Sequence, residues 1–327
     1  MAVSRALRGY SDISKDTADR IKKIAEEIGY TTNAYARALS SKQGINCIGM
    51  IVPSIKSETA YSMDYEAICF EAAKDSIHVL LGTSNRDMEQ EEVLCRTMCE
   101  NRVRALLVSP VTSDVSHIKK ICKNIAPVIF IGGKTGIEEE YCITMDYSYG
   151  LNTAVRYLSS LGHRNIAYAA YGPDNNTIRQ KIKGYECEML ASKLVPAVYW
   201  EGRSDDTFGA GKTIVKRLVE EKMLPTAFCA SSDLMALGII EELKLNGFCV
   251  PVDVSVIGHD DIYLSKLPSI SLTTLYVSHT EIAEKSLAIV KRIIDGKNID
   301  DSEKKYILTA NLIERQSTCA VSVSLPN

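Results

Sequence analysis

A chain of 327 residues is too long for a single small core and predicts two or three domains. Its 46% hydrophobic and 24% charged content is that of a soluble globular protein, with no apolar run long enough to span a bilayer and no basic-then-apolar leader. Ten cysteines stand singly without a C-x-x-C, which speaks against a zinc site or a secreted disulfide framework and for buried thiols in a reducing cytoplasm.

The chain opens on "AVSRAL", where Ala2, Val3, Ala6 and Leu7 share one helical face and Ser4, Arg5 and Arg8 the other. So short an amphipathic helix is marginal alone, and its apolar face needs a partner. "KDTADRIKKIAEEIGY" follows, with Ala18, Ile21, Ile24, Ala25 and Ile28 at helical spacing, Ser14 as N-cap and Gly29 as C-cap. A short Ala-rich stretch, "NAYARAL", then runs into linker-like "SSKQG". Residues 1–45 carry eight Lys/Arg against five Asp/Glu, a net +3, while the remaining 30 basic and 36 acidic residues leave −6. A basic head on an acidic body suits nucleic-acid contact at one end.

From Cys47 the texture changes to short apolar runs alternating with amphipathic segments. "CIGMIVP", "IHVLLG", "RALLVS", "PVIFIGG" and "YCITMD" form one series, and "NIAYAA", "AVYWEG", "TAFCASSD", "VSVIGHDD" and "SLTTL" a second. Helical patterns such as "MEQEEVLCRTMCENR", "LNTAVRYLSSLG" and "LMALGIIEELKLNG" lie between them. Alternating βα units with strands apolar on both faces predict an α/β fold of parallel sheets flanked by helices, here as two similar lobes. Ligands in such folds sit beyond the carboxyl ends of the strands.

Several catalytic motifs fail on spacing. "GAGKT" at 209–213 has Asp206, and "GGKTG" at 132–136 has Val128, where a phosphate-binding loop needs its first glycine. Neither a G-x-G-x-x-G fingerprint after a strand nor a G-x-S-x-G elbow occurs, and His78, His117, His163, His259 and His279 form no H-E-x-x-H pair. His163 reads as a structural turn residue. No enzyme, cofactor or metal is implied.

"AVSRAL", "TADRIKKIAEEIGYTTNAYARALSS" and "IGMIVPSI" resemble the start of a LacI/GalR-type transcriptional regulator. "LGHRNIAY", "KGYECEML", "PTAFCASSDLMALGIIEELKLNGFCVPVDVSVIGHDDI", "LTTL" and "LIERQST" continue the resemblance over essentially the whole chain, in order. It implies a helix-turn-helix and hinge-helix head over 1–45 and an effector-binding, dimerising body over 46–327 built like the periplasmic sugar-binding proteins. Lobe 1 then covers about 46–146 and 278–308, and lobe 2 about 147–277 and 309–327. The implied protein is a cytoplasmic, homodimeric, non-enzymatic repressor of palindromic operators, controlled by a small polar effector, a sugar or sugar phosphate, with no membrane partner. A headless ligand sensor and a transporter-type solute-binding protein are the alternatives.

The resemblance places "AVSRAL" in the recognition helix, so the family's first helix falls outside the chain and weak operator binding is expected of the chain as it stands. Val3, Ser4 and Arg5 match recognition-helix positions, where Arg suits phosphate or guanine and Ser suits phosphate. Leu39 matches the hinge leucine that wedges into the minor groove, with Asn33 and Ala36 beside it. On the effector side the matching positions are Tyr61, Asp146, Lys181 (where the family has Arg), Ser232 (where it often has Asn) and Asp260. Arg179 stands ready to compensate for the lost guanidinium, Arg203 adds charge beside Ser204, and Asp233 reads more readily as a helix cap.

Overall fold

The computed structural model of the protein describes residues 2–7, 13–30, 46–55, 60–132, 141–172, 176–201 and 206–321. At the amino end, α1 (Ala2–Leu7) lies on α2 (Lys15–Glu27). Ser14 caps α2 by accepting from the Thr17 amide, and Gly29, just past the Ile28 cap, takes φ +62° to end it. Ala6 and Ala25 are both buried, so the partner that the apolar face of α1 needs is α2; Val3 remains 49% exposed. Asn33, Ala36 and Leu39 lie outside the described residues.

Twelve strands among the described residues form two six-stranded sheets. The first holds β1 (Cys47–Val52), β2 (His78–Thr83), β3 (Leu106–Val108), β4 (Val128–Gly132), β5 (Tyr141–Asp146) and β11 (Lys305–Thr309), all parallel, in the order β11-β5-β4-β3-β1-β2. The second holds β6 (Ile166–Tyr171), β7 (Ala197–Glu201), β8 (Ala227–Ala230), β9 (Ser255–His259), β10 (Thr273–Tyr276) and β12 (Asn311–Ile313), in the order β12-β10-β9-β8-β6-β7. Only β12 runs antiparallel to its neighbour. The two orders are the same doubly wound pattern used twice, with a switch point beside the first strand of each sheet. Strands β1, β3, β4, β8 and β9 are buried almost throughout, which is why they are continuous apolar runs in the sequence.

Helices α3 (Ala60–Ala73), α4 (Met88–Glu100) and α5 (Ser116–Cys122) accompany the first sheet, and α6 (Tyr147–Ser160), α7 (Asn176–Ala191), α8 (Thr207–Glu220) and α9 (Asp233–Leu245) the second. α10 (His279–Ile294) returns to the first sheet, packing on α3, and α11 (Asp301–Lys304) precedes β11. The chain therefore passes between the sheets at three places: after Asp146, between Tyr276 and His279, and between Thr309 and Asn311. One apolar cluster spans that junction, containing Met50, Ile131 and Met145 from the first sheet and Tyr168, Cys229 and Leu275 from the second. Where α8 meets α9 the backbones touch: a methyl group on Gly238 would fall 2.0 Å from the Phe208 carbonyl oxygen.

Of the motifs that fail on spacing, "GGKTG" lies outside the described residues after Gly132, and "GAGKT" has an ordinary structural role. "GAGKT" lies within α8, whose cap is Asp206, accepting from the Gly209 amide at 2.9 Å. His163 is buried and bonded to Thr226 Oγ1, Ser255 Oγ and the Cys319 carbonyl, the structural role its position suggests.

Candidate ligand-binding junction

The residues that matter lie just beyond the carboxyl ends of the strands. Tyr61 and Asp64 open the helix after β1, Tyr147 follows β5, and Lys181 sits on the helix after β6. Ser231 to Asp233 follow β8, Asp260 follows β9, and His279 follows β10. Each sheet contributes, as the topology requires of a site in a doubly wound fold.

Asp260 is the electrostatic centre of this group. Its Oδ1 meets His259 Nδ1 at 2.8 Å, and its backbone takes φ +112°, followed by Asp261 at +55°. Two successive left-handed residues in "HDD" are a costly conformation, and Arg315, bonded to Asp261 and to the Leu272 carbonyl, holds it in place. Burial alone would raise the Asp260 carboxyl, but the His259 hydrogen bond and the charges of Lys181 and His279 hold it below the usual carboxylate range. Burial lowers His259, and Lys181 lowers it further, so this imidazole is neutral at pH 7.

Lys181 is buried, donates to the Ser231 carbonyl at 2.9 Å and lies 5.2 Å from the centre of the Tyr147 ring. Burial lowers its ammonium, with Asp260 and Asp233 pulling the other way. On the first-sheet side, Asp64 Oδ1 meets His279 Nδ1 at 2.7 Å, both side chains nearly buried. Burial raises the Asp64 carboxyl with His279 partly offsetting it, while Asp64 and Asp260 hold His279 above its ordinary value despite burial. Tyr61 is raised first by burial, with Arg86 acting against it.

The other residues read from the sequence have internal work. Asp233 does not cap α9; Ser232 does, accepting from the Met235 amide. Asp233 is fully buried, with Oδ1 accepting from Thr274 and Oδ2 from the Ile262 amide and Ser265. Those bonds occupy both oxygens, which corrects its reading as a helix cap to a tie between α9 and the β9–β10 region. Asp146 caps α6 through the Tyr149 amide at 2.9 Å. Arg179 is exposed on α7, and Arg203 lies outside the described residues. Val3 and Arg5 are exposed on α1, which also carries Ser4. Asp64, Tyr147, His259 and His279 were not singled out as ligand residues by the sequence; the one signal available was their position after strands.

A basic depression lined by Lys119, Lys120, Lys123 and Ile125 lies at the amino end of β4, the wrong end of that strand for this site. Among the described residues no helix is long and apolar enough to cross a membrane.

A periplasmic binding protein-like domain model matches residues 155–318. Catabolite control protein A of Priestia megaterium is 27% identical over 303 residues, covering 92% of this chain and 90% of that protein. The HTH-type transcriptional repressor CytR of Escherichia coli K12 is 27% identical over 322 residues, covering 98% and 92%. In three dimensions the chain is similar to the Lac repressor dimer bound to operator and the anti-inducer ONPF, with a TM-score of 0.83 at 23% identity, over 97% of this chain and 94% of that one.

Proposed function

We infer from these likenesses that the chain belongs to the LacI/GalR family of transcriptional regulators, whose body is a periplasmic binding protein-like domain. We propose that it is a cytoplasmic, non-enzymatic regulator in which residues 1–45 contact DNA and residues 46–327 bind an effector and dimerise. The lobes are 46–146 with 278–308 and 147–277 with 309–327. The DNA-facing residues are Val3, Ser4, Arg5, Asn33, Ala36 and Leu39. The effector is a small polar compound, sugar or sugar-like, held by Tyr61, Lys181 and Asp260, with Ser232 and Asp146 lining the same junction.

The observation that carries this reading is convergence: Tyr61 and Asp64 on one sheet, and Lys181 and Asp260 on the other, act on a common electrostatic centre beyond the strand ends. A ligand bound there touches both lobes, so it has different affinity for their open and closed arrangements. That difference is what an effector needs to shift an equilibrium. Closure then alters the spacing of paired DNA heads in a dimer, as half-site geometry demands.

Selection of DNA fragments from a random pool by the purified chain tests the regulator reading. The expected result is a palindromic motif that the chain as it stands retains only weakly, with a retention that changes when polar metabolites are added. Recovery of no common motif, together with a failure of the chain to alter any promoter in its host when deleted, overturns it.

A further inference from the structure

Three side-chain polar atoms around this junction are buried without a hydrogen-bond partner: His259 Nε2, His279 Nε2 and Tyr168 Oη. Buried polar groups are satisfied in native proteins, and an orphan calls for an explanation such as a missing ligand. Two of the three are imidazole atoms whose opposite nitrogens are fixed by carboxylates, His279 by Asp64 at 2.7 Å and His259 by Asp260 at 2.8 Å. The two pairs come from different sheets: Asp64 and His279 from α3 and α10, His259 and Asp260 from β9 and the turn after it. Neither pair follows from the resemblance, which draws only Asp260 into the ligand site.

We propose that His279 and His259 are the specificity-determining pair of the site, His279 Nε2 donating to the effector and His259 Nε2 accepting from it, with Asp64 as the positioning residue for His279. This deepens the effector reading above and rests on it. The chemistry of each ring sets its role. Asp64 and Asp260 hold His279 above its ordinary value against burial, which favours the ring that carries both hydrogens; Nδ1–H then goes to Asp64 and Nε2–H is left to donate. His259 is neutral, because burial and Lys181 act against its charge; Nδ1–H goes to Asp260 and Nε2 is left as an acceptor. A ligand that satisfies both presents an acceptor and a donor together, as vicinal hydroxyls or an amide edge do.

The charges select an uncharged compound. Among the described residues, His279 acts on Asp64, Lys181 acts on Asp260, and Arg86 acts on Tyr61. A phosphate would add charge that these pairs leave uncompensated in a buried setting. The groups facing His279 are Asp64 on α3, the carboxylate and the backbone carbonyl of Asp260 and the ring of His259 on the second sheet, and the Tyr276 ring at 6.0 Å; the effector competes with that carbonyl for the His279 proton.

A pH signature follows. When His279 loses its proton, Nδ1 keeps the remaining hydrogen for Asp64 and Nε2 turns from donor to acceptor. When His259 gains one, Nε2 turns from acceptor to donor. Affinity therefore falls on both sides of a plateau, the alkaline limb belonging to His279 and the acid limb to His259.

Thermal-shift measurements on the full chain with D-glucose and D-glucose 6-phosphate, D-ribose and D-ribose 5-phosphate, and uridine and its monophosphate come first, followed by calorimetry across pH on the compound giving the largest shift. The expected result is a neutral compound with a bell-shaped affinity, weakened roughly tenfold or more in H279L. In H259Q the acid limb is lost. In D64N, which keeps the side-chain volume, the alkaline limb moves to lower pH, and nitrogen-15 imidazole spectra of the unliganded protein show His279 titrating lower. A flat pH profile unaffected by H279L and D64N overturns the pair while leaving the effector reading intact, and so does tighter binding of a phosphorylated partner. An unshifted His279 titration in folded D64N overturns the positioning role of Asp64. No shift from any of the six compounds counts against the sugar-like effector reading itself.

Discussion

Thr274 donates its hydroxyl to the carboxylate of Asp233 at 2.5 Å, joining the middle of β10 to the first residue of α9 across 41 positions of chain. The same carboxylate holds Ser265 and the Ile262 amide, so a single side chain clamps the segment that carries Asp260. Burial, with Asp260 adding like charge, raises its carboxyl to about 6 against the hydroxyl and amide bonds that favour the anion. Removing it orphans three buried donors, and D233A is expected to lose about 2–4 kcal/mol in urea unfolding. Because the folded value lies above the unfolded one, Asp233 contributes stability that is complete at pH below 4 and is lost as pH rises through about 6. D233N is expected to lack that slope; an identical pH dependence in wild type and D233N refutes this.

G238A is expected to cost about 2 kcal/mol or more, because a methyl at that position meets the backbone of α8, which cannot swing aside as a side chain does. The midpoint in urea should fall with the slope unchanged. A variant as stable as wild type means that the two helices separate freely.

Lys181 and Asp260 are coupled through charge and a shared buried setting. K181M and D260N should each destabilise the chain, and the double variant should lose less than their sum by roughly 1–3 kcal/mol. Additive losses in the cycle show that the two groups do not sense each other.

His163 is held neutral by burial, with the Cys319 carbonyl opposing the shift only in part. Its folded value lies below the unfolded one, so its contribution is present above pH 6.5 and fades as pH falls through the lowered value. H163Q is expected to unfold more easily at pH 7, by about 1–3 kcal/mol for the bonds to Thr226 and Ser255, and to lose less on acidification than wild type. Chemical denaturation at pH 7 and pH 5 checks both.

Ten of the strands described here are legible as apolar runs, most plainly β1, β3, β4, β8 and β9, because a strand covered on both faces has little room for polar residues. β11 and β12 escape such a reading: "KYILT" and "NLI" are edge strands with exposed residues, and β12 is only three residues long. The ligand-binding junction is legible only in part. Tyr61, Lys181 and Asp260 enter through their place in a family pattern. The Asp64–His279 contact joins residues 215 positions apart and leaves no local trace. Asp233 shows the opposite failure: an aspartate following serine at a helix start reads as a cap, and only the folded chain reveals that its oxygens turn inward.

The three passages of the chain between the sheets have a consequence for synthesis. A nascent chain that has emerged as far as Asp146 holds five strands of the first sheet but neither α10, which packs on α3, nor β11, which pairs with β5. Those pieces arrive only after five of the six strands of the second sheet, β6 to β10, have been made, and the second sheet in turn waits for β12. Neither lobe is thus a contiguous stretch that a ribosome delivers complete. The last residues of each edge close both halves at nearly the same moment, so the two lobes are set to mature as one cooperative event rather than in sequence.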